Sequence, residues 1–339
     1  MNLITGRNAD EILPIALQRL FAIGVKRNTR NGPALQMPGP TIICYERPLE
    51  RVVFSADRNC NPFFHVIEAM WMLAGRNDVA GVDEYAANIK QYSDDGLTFN
   101  GAYGNRWRRH FGLGQRIDQL ENVASALKAN PDCRRQVVAM WDPEVDGVGR
   151  SSRDLPCNTH AYFARDQDGR LDMTVCNRSN DLVWGALGAN AVHFSFLLEY
   201  MAARIGCQVG KYYQFTNNLH GYLNTIEPLR CLSESTGAAS RYEVENLNHV
   251  NIFTKSEENE FEVDLFKLGS GNYSTSFFTG VVAPIEAAWK IYKAGGPSAA
   301  IETCAQIKAD DWRLAATEWM LRCAARRKAK SQDDGVNYE

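Results

Sequence analysis

Several residues stand where folding alone does not ask for their chemistry. Glu68 lies four positions after Phe64 and three before Trp71, so on a helix it shares their apolar face. A carboxylate there must raise its pKa, find a partner or reach solvent at the edge of the stripe. Cys157 follows a proline in Leu155-Pro156-Cys157-Asn158-Thr159-His160, where an extended strand begins. His160, three residues along that strand, points to the opposite face, which disfavours both a shared metal and a direct Cys–His dyad. A thiolate at Cys157 would be favoured instead by a nearby arginine. Arginines do gather at turns and strand ends, at Arg30, at Arg134-Arg135 and at Arg178, and guanidinium forks suit phosphate oxygens. Arg178-Ser179-Asn180-Asp181 packs a cation, a hydroxyl and a carboxylate into one turn. His220 and Tyr222 alternate onto one face of an extended segment, where they could bond a sugar hydroxyl or simply satisfy one another within the fold. These residues suit a small phosphate-bearing ligand, a thiol nucleophile and a buried acid, without naming a reaction.

The elements that must position them follow from periodicity and punctuation. Helices are expected over Glu11–Ile23, Pro62–Ala74, Ile117–Ala129 and Asn190–Ile205, with a helical tail from Ile285 to Lys328. Strands are expected over Gln136–Trp141, Thr159–Ala164, Leu171–Asn177 and Lys211–Thr216, the middle two joined by the turn Asp166-Gln167-Asp168-Gly169. The Gly/Pro-rich passage from Arg30 to Pro40 reads as a loop, and Arg326-Arg327-Lys328 as a solvated helix end. Strands set between long helices predict an α+β (mixed α/β) class. No clean linker interrupts the chain.

Composition sets the outer limits. The 339 residues carry 37 Lys+Arg against 40 Asp+Glu, and a net charge of −3 argues against a nucleic-acid coat, so no DNA partner is expected. Nine scattered cysteines with no C-x-x-C pair match neither a metal-binding nor a disulfide framework, and no metal is expected. The most apolar span, Ala189–Ile205, is broken by Asn190, His193, Ser195, Glu199 and Arg204, so no membrane crossing is expected. The first residues show no secretory signal, and a cytoplasmic protein with reduced thiols is the expectation.

Motifs in order along the chain narrow this further. They are Arg30-Asn31-Gly32, Glu68-Ala69-Met70-Trp71, Ala102-Tyr103-Gly104-Asn105-Arg106-Trp107-Arg108, Ile117-Asp118-Gln119-Leu120, Asp132-Cys133-Arg134-Arg135, Leu155-Pro156-Cys157, Arg178-Ser179-Asn180-Asp181, Asn190 and His220-Gly221-Tyr222. In that order they resemble thymidylate synthase and the related pyrimidine-nucleotide hydroxymethylases. The resemblance implies a large mixed β-sheet flanked by helices, with residues 1–280 as the catalytic domain and 281–339 as a helical extension packed on it. It implies a homodimer with shared active sites and methylenetetrahydrofolate as co-substrate. Cys157 would attack C6 of a pyrimidine nucleoside monophosphate, Glu68 would handle protons through ordered water, and Tyr103 would position the base and assist proton removal at C5. Arg30, Arg178 and Ser179 would hold the phosphate, with Arg134 and Arg135 reaching in from the partner subunit. His220 and Tyr222 would bind the sugar 3′-hydroxyl, and Asp181 would contact the folate ring.

Departures from the synthase pattern bear on the product. Asn158 stands where synthases have His after Pro-Cys, and Ile89-Lys90-Gln91-Tyr92-Ser93 has no Trp where synthases shield the methylene intermediate. The usual apolar C-terminus is replaced by Asp333-Asp334-Gly335-Val336-Asn337-Tyr338-Glu339, and Asp181-Leu182-Val183-Trp184-Gly185 is similar to the hydroxymethylase branch. A less sealed site would let water rather than hydride add. Asn190 suits the O4/N3–H edge of uracil, whereas the cytosine-specific relatives carry Asp; a helix N-cap is the competing role. The expected reaction is therefore hydroxymethyl transfer to C5 of deoxyuridylate (dUMP), with thymidylate synthesis, then deoxycytidylate hydroxymethylation, as alternatives. A non-catalytic regulator that binds nucleotide or RNA is the alternative of a different class.

Overall fold

The computed structural model describes residues 1–334 apart from positions 87, 113, 148, 150 and 238, with side chains through residue 327. In chain order the elements are β1 (Asn2–Gly6), α1 (Ala9–Ile23), β2 (Val25–Thr29), β3 (Gly32–Gln36), β4 (Thr41–Tyr45), α2 (Pro62–Leu73), α3 (Tyr103–Arg108), α4 (Gln119–Ala129), β5 (Val137–Ala139) and α5 (Pro143–Asp146). There follow β6 (Asn158–Arg165), β7 (Leu171–Asn177), β8 (Asn180–Asp181), α6 (Asn190–Ile205), β9 (Val209–Thr216), β10 (Leu219–Tyr222) and α7 (Leu223–Ile226). The chain closes with α8 (Arg241–Glu245), α9 (Glu258–Phe266), α10 (Ala283–Lys293), α11 (Pro297–Cys304) and α12 (Asp310–Asp334). A six-stranded mixed sheet runs β1-β4-β9-β7-β6-β5, and a four-stranded one runs β2-β3-β10-β8. The α+β class with helices against a large mixed sheet is thus the observed one.

Local chemistry explains the two helices that carry the site. At α2, Asn61 Oδ1 accepts from the amides of Phe63 (3.1 Å) and Phe64 (3.3 Å), and Pro62 occupies the first turn, where its missing N–H costs nothing. Gly206 ends α6 at φ +82°, a left-handed conformation that suits glycine. The helical stretch Leu182–Ile205 is long and apolar enough to span a bilayer by composition, but 83% of its apolar window is buried inside the protein, as befits a core helix. All nine cysteines are free thiols.

The Arg30–Pro40 passage is a correction. Gly32 turns the chain at φ +112° and Gly32–Gln36 pairs with Val25–Thr29 as a hairpin. Pro33 is tolerated because β10 pairs only with Ala34–Gln36, so no ladder bond is lost there. The strand expected over Gln136–Trp141 shrinks to Val137–Ala139, and α4 starts at Gln119 because Asp118 caps the amides of Leu120 (3.0 Å) and Glu121 (3.1 Å). The tail is helical as expected, in three helices. Trp289 of α10 and Trp319 of α12 pack their rings 5.5 and 5.7 Å from Phe63 of α2, so the C-terminal helices lie directly on the helix that bears Glu68. Lys328 of the basic cluster and positions 335–339 lie outside the described side chains.

Two contacts yield stability predictions. A Cβ on Gly104 would lie 2.0 Å from the carbonyl oxygen of Met72, so α3 approaches α2 more closely than any side chain permits. Gly104→Ala should lower unfolding free energy by about 2–3 kcal/mol in urea denaturation, through forced backbone displacement. Deeper in, Arg51 pairs with Glu199 of α6 at 2.6 Å, and Glu199 also accepts from His249 and from the Ile252 amide, both at 2.9 Å. Burial pushes the Glu199 carboxyl up, but Arg51 and His249 overcome it and hold it at about 2. A depressed carboxyl stabilises the fold above its unfolded value and loses that contribution as pH falls through the folded one. Arg51→Met should therefore cost about 3–5 kcal/mol at pH 7, and the gap to wild type should narrow between pH 4.5 and 2. Denaturation curves at pH 7 and pH 3 check both statements.

Candidate active site

Cys157 sits immediately before β6, held by the backbone around it. The Arg178 guanidinium donates to the carbonyls of Pro156 (2.8 Å) and Leu155 (3.1 Å), while the Arg178 amide donates to the Cys157 carbonyl (2.9 Å). From the other side, the Tyr103 hydroxyl accepts from the amides of Cys157 (3.1 Å) and Asn158 (3.2 Å). Burial raises the Cys157 thiol; Arg178 and Arg30 pull it down and Asp154 pushes it up further, and burial wins. The expectation that an arginine favours the thiolate holds only as a counterweight: the free protein keeps the thiol protonated. Burial also raises the Tyr103 phenol, so Tyr103 is neutral and its proton remains available to donate. His160 stacks on Tyr162 at 6.2 Å.

Next to the nucleophile runs a chain of buried amides. Asn158 Nδ2 donates to Asn190 Oδ1 (3.3 Å), and Asn190 Nδ2 donates to Asn180 Oδ1 (3.1 Å). Asn180 Nδ2 donates to Gln214 Oε1 (2.7 Å), and Gln214 Nε2 donates to the Ala186 carbonyl (2.9 Å) and the Tyr45 hydroxyl (2.8 Å). Since a carbonyl can only accept, Gln214 must present its nitrogen there, and each amide down the chain is oriented in turn. At the other end, Thr216 donates to Asn177 Oδ1 (2.9 Å), and Asn177 donates to Asn158. Asn190 does not cap α6: its side chain belongs to this network, and no side chain caps that helix. A wide π-helical turn, Leu182–Ala189, kinks at Leu187 and Gly188 just before Asn190. A Cβ at Gly188 would lie 2.6 Å from the Val183 carbonyl, so glycine is required at that kink.

A cavity of about 710 Å³ opens beside these groups, with Glu68, Tyr103, Asn190 and His193 among its polar lining and Trp184 and Trp319 in its walls. Glu68 neither hides in the core nor simply reaches solvent; its Oε2 lies 2.8 Å from His193 Nε2. Cys157 itself does not line the cavity but is bonded through its amide to Tyr103, which does. Asp181 Oδ1 accepts from the amides of Val183 (2.8 Å) and Trp184 (2.6 Å), while its buried Oδ2 has no hydrogen-bond partner. Burial raises the Asp181 carboxyl. Asp181 is not among the residues that line the cavity, but its neighbour Trp184 is. Asp181 also pairs in register with His220 across β8 and β10. His220 and Tyr222 share a face with rings 5.2 Å apart, and Asn31 donates to the Tyr222 hydroxyl at 3.3 Å, linking that strand to the Arg30 turn.

Not every predicted residue joins this group. Arg30 and Arg178 are near enough to act on Cys157, and half-buried Ser179 follows Arg178. Arg134 and Arg135 lie exposed on the loop before β5, and Arg135 acts on the neighbouring Cys133 rather than on the cavity. Sequence reasoning missed His65, His193, Asn177, Asn180's amide role and Gln214. His193 is three residues after Asn190 and so on the same helix face, a signal that was available. Gln214 looks like an ordinary strand residue until the sheet register places it. Among the described residues no group of three His, Cys, Asp or Glu side chains is disposed to hold a metal ion.

Comparison with known proteins decides the kinship. The profile of the family described as thymidylate synthase matches residues 21–271. The chain belongs to the thymidylate synthase family. Within that family it is 45% identical, over the whole of both chains, to a deoxyuridylate hydroxymethyltransferase of Pseudomonas phage M6. It is 44% identical to a protein of the same name from Bacillus phage SP01, over 55% of this chain and 50% of the other. A putative thymidylate synthase of Methanothermobacter marburgensis is 36% identical over 35% of this chain and 49% of its own. The thymidylate synthase family match ends at residue 271, so α10 to α12, including the cavity residue Trp319, lie beyond it.

Proposed function

We propose that this protein transfers a hydroxymethyl group to C5 of dUMP, a reading supported by two relatives named deoxyuridylate hydroxymethyltransferase. The observation that carries the reading is the oriented carboxamide of Asn190, joined to Asn158, the residue that follows the nucleophile Cys157 and begins β6. Asn190 offers an oxygen for N3–H and a nitrogen for O4 of uracil. In this reading Cys157 bonds to C6, the Tyr103 hydroxyl helps to remove the C5 proton, and Arg30, Arg178 and Ser179 hold the phosphate. His220 and Tyr222 take the 3′-hydroxyl and Asp181 the pterin edge. Methylenetetrahydrofolate supplies the one-carbon unit when bound.

In this reading water rather than hydride completes the product because one stretch of the wall lacks an indole shield. The segment Asn88–Tyr92 faces the cavity with Asn88, Ile89, Gln91 and Tyr92, and no indole stands there. Incubation with dUMP or dCMP and methylenetetrahydrofolate, followed by mass analysis of the nucleotide, tests the proposal: 5-hydroxymethyl-dUMP with tetrahydrofolate is expected. A methylated nucleotide with dihydrofolate, or a product from dCMP alone, would overturn it.

A homodimer completes the reading. On the outer face of the large sheet, Ile42, Phe215, Cys176 and His160 form a row across four strands, all only part-buried, and Val137 and Tyr162 beside them are each 42% exposed. A second copy covering that face would bury the row and bring the exposed Arg134 and Arg135 to the partner's phosphate site. Light scattering should report a mass near 76 kDa, twice the 38.0 kDa chain. Arg135→Ala should weaken dUMP binding about tenfold, from the loss of one charged hydrogen bond.

A further inference from the structure

His193 has no role in the reaction as derived so far, yet it is placed as if it had one. It is 4% exposed, on the third residue of α6 after Asn190, hence on the same face one turn deeper into the cavity wall. Its Nε2 lies 2.8 Å from Glu68 Oε2, but the two atoms are not aligned to bond to one another, and neither has a hydrogen-bond partner. Two buried polar atoms, side by side and unspent, can share one water at the apex of a triangle with both. His65, three residues before Glu68, also lines the cavity and meets His193 edge-on at 6.4 Å. Burial, with His193 and Arg58, holds the His65 imidazole well below its ordinary value, so it adds no charge that would compete for that water.

We infer that His193 is the catalytic base that hydrates the one-carbon unit, taking a proton from a water held jointly by His193 Nε2 and Glu68 Oε2. The inference rests on the hydroxymethyl reading above. At this stage the pyrimidine is bonded at C6 to Cys157 and carries an exocyclic methylene at C5. The water oxygen bonds to the methylene carbon, and its proton passes to His193 Nε2. The methylene electron pair shifts into the ring as the C5–C4–O4 enolate. The enolate re-forms the C5–C6 double bond and expels the Cys157 thiolate, which is reprotonated by the proton His193 gives up. One water is consumed and nothing is oxidised or reduced. Asn190 and His193, on one helix face, thus hold the base edge and the attacking water in fixed relation.

The test is His193→Gln, which keeps hydrogen bonding and bulk but cannot take up a proton. With enzyme in excess, the variant should form the covalent complex with 5-fluoro-dUMP and methylenetetrahydrofolate, and release tritium from [5-³H]dUMP, within about threefold of wild type. Formation of 5-hydroxymethyl-dUMP should fall by about 10²–10⁴-fold, the range for a lost general base, and an added thiol should intercept the methylene carbon as a thioether. Hydroxymethyl product that keeps pace with tritium release overturns the inference. Loss of the fluoronucleotide complex and tritium release together with product also overturns it, because His193 would then act earlier or only in folding. A wild-type enzyme that makes no 5-hydroxymethyl-dUMP defeats the functional reading itself and is told apart from both by the wild-type arm alone.

Discussion

Cys157→Ala should abolish covalent capture of 5-fluoro-dUMP and lower turnover of dUMP by at least about 10⁴-fold, while leaving dUMP affinity within a few-fold. No other thiol can substitute. Tyr103 and Arg178 grip the backbone of Cys157 alone, at its amide, its carbonyl and the two preceding carbonyls, and so set the approach of that sulfur. Denaturing gel shift or intact-mass measurement reads the adduct, and calorimetry with dUMP reads the affinity. The raised thiol adds a second observable. Because burial outweighs Arg178 and Arg30, little thiolate is present near neutrality, and alkylation of Cys157 in the free protein should be slow there and accelerate with rising pH. Fast alkylation at neutral pH, or an adduct that survives Cys157→Ala, would remove Cys157 from its role.

The second large effect concerns the base. Asn190→Asp should cost about 10³-fold in kcat/KM for dUMP and bring measurable turnover of dCMP, inverting the preference in a direct competition assay. An asparagine free to rotate could read uracil in one orientation and cytosine in the other. Here the Ala186 carbonyl fixes Gln214, Gln214 fixes Asn180, and Asn180 fixes the nitrogen of Asn190, so one orientation is held. Aspartate at 190 puts one oxygen where the amide nitrogen faces both Asn180 Oδ1 and uracil O4, two acceptor–acceptor contacts, but that oxygen accepts well from the amino group of cytosine. If Asn190→Asp keeps the dUMP preference, base selection lies elsewhere in the cavity.

Much of the chemistry was legible in residue order. Glu68 on an apolar face, Cys157 after a proline and arginines at strand ends are local features; the strict alternation of β7 and the apolar runs of α2 and α6, with their bounding punctuation, are local too. The hairpin at Val25–Gln36 was hidden because both strands are short, the first is exposed throughout and the second begins with Gly32-Pro33, a pair that punctuates loops more often than strands. The expected helical tail is divided into three helices because Gly295-Gly296-Pro297 breaks the first from the second and the Ala305–Ala309 turn breaks the second from the third.

By itself the sequence determined which reactive groups exist, their order, and the kinship that order carries; these depend only on residue identity and spacing. Tertiary structure alone decided which of them meet. Gln214 orients Asn190 across two sheets, Trp319 reaches the cavity from a helix 251 positions after Glu68, and His193 finds Glu68 because α6 packs on α2. Such pairings have no local signature: a hydrogen bond between residues far apart in the chain depends on the docking of whole elements, and the apolar burial that docks them is non-directional.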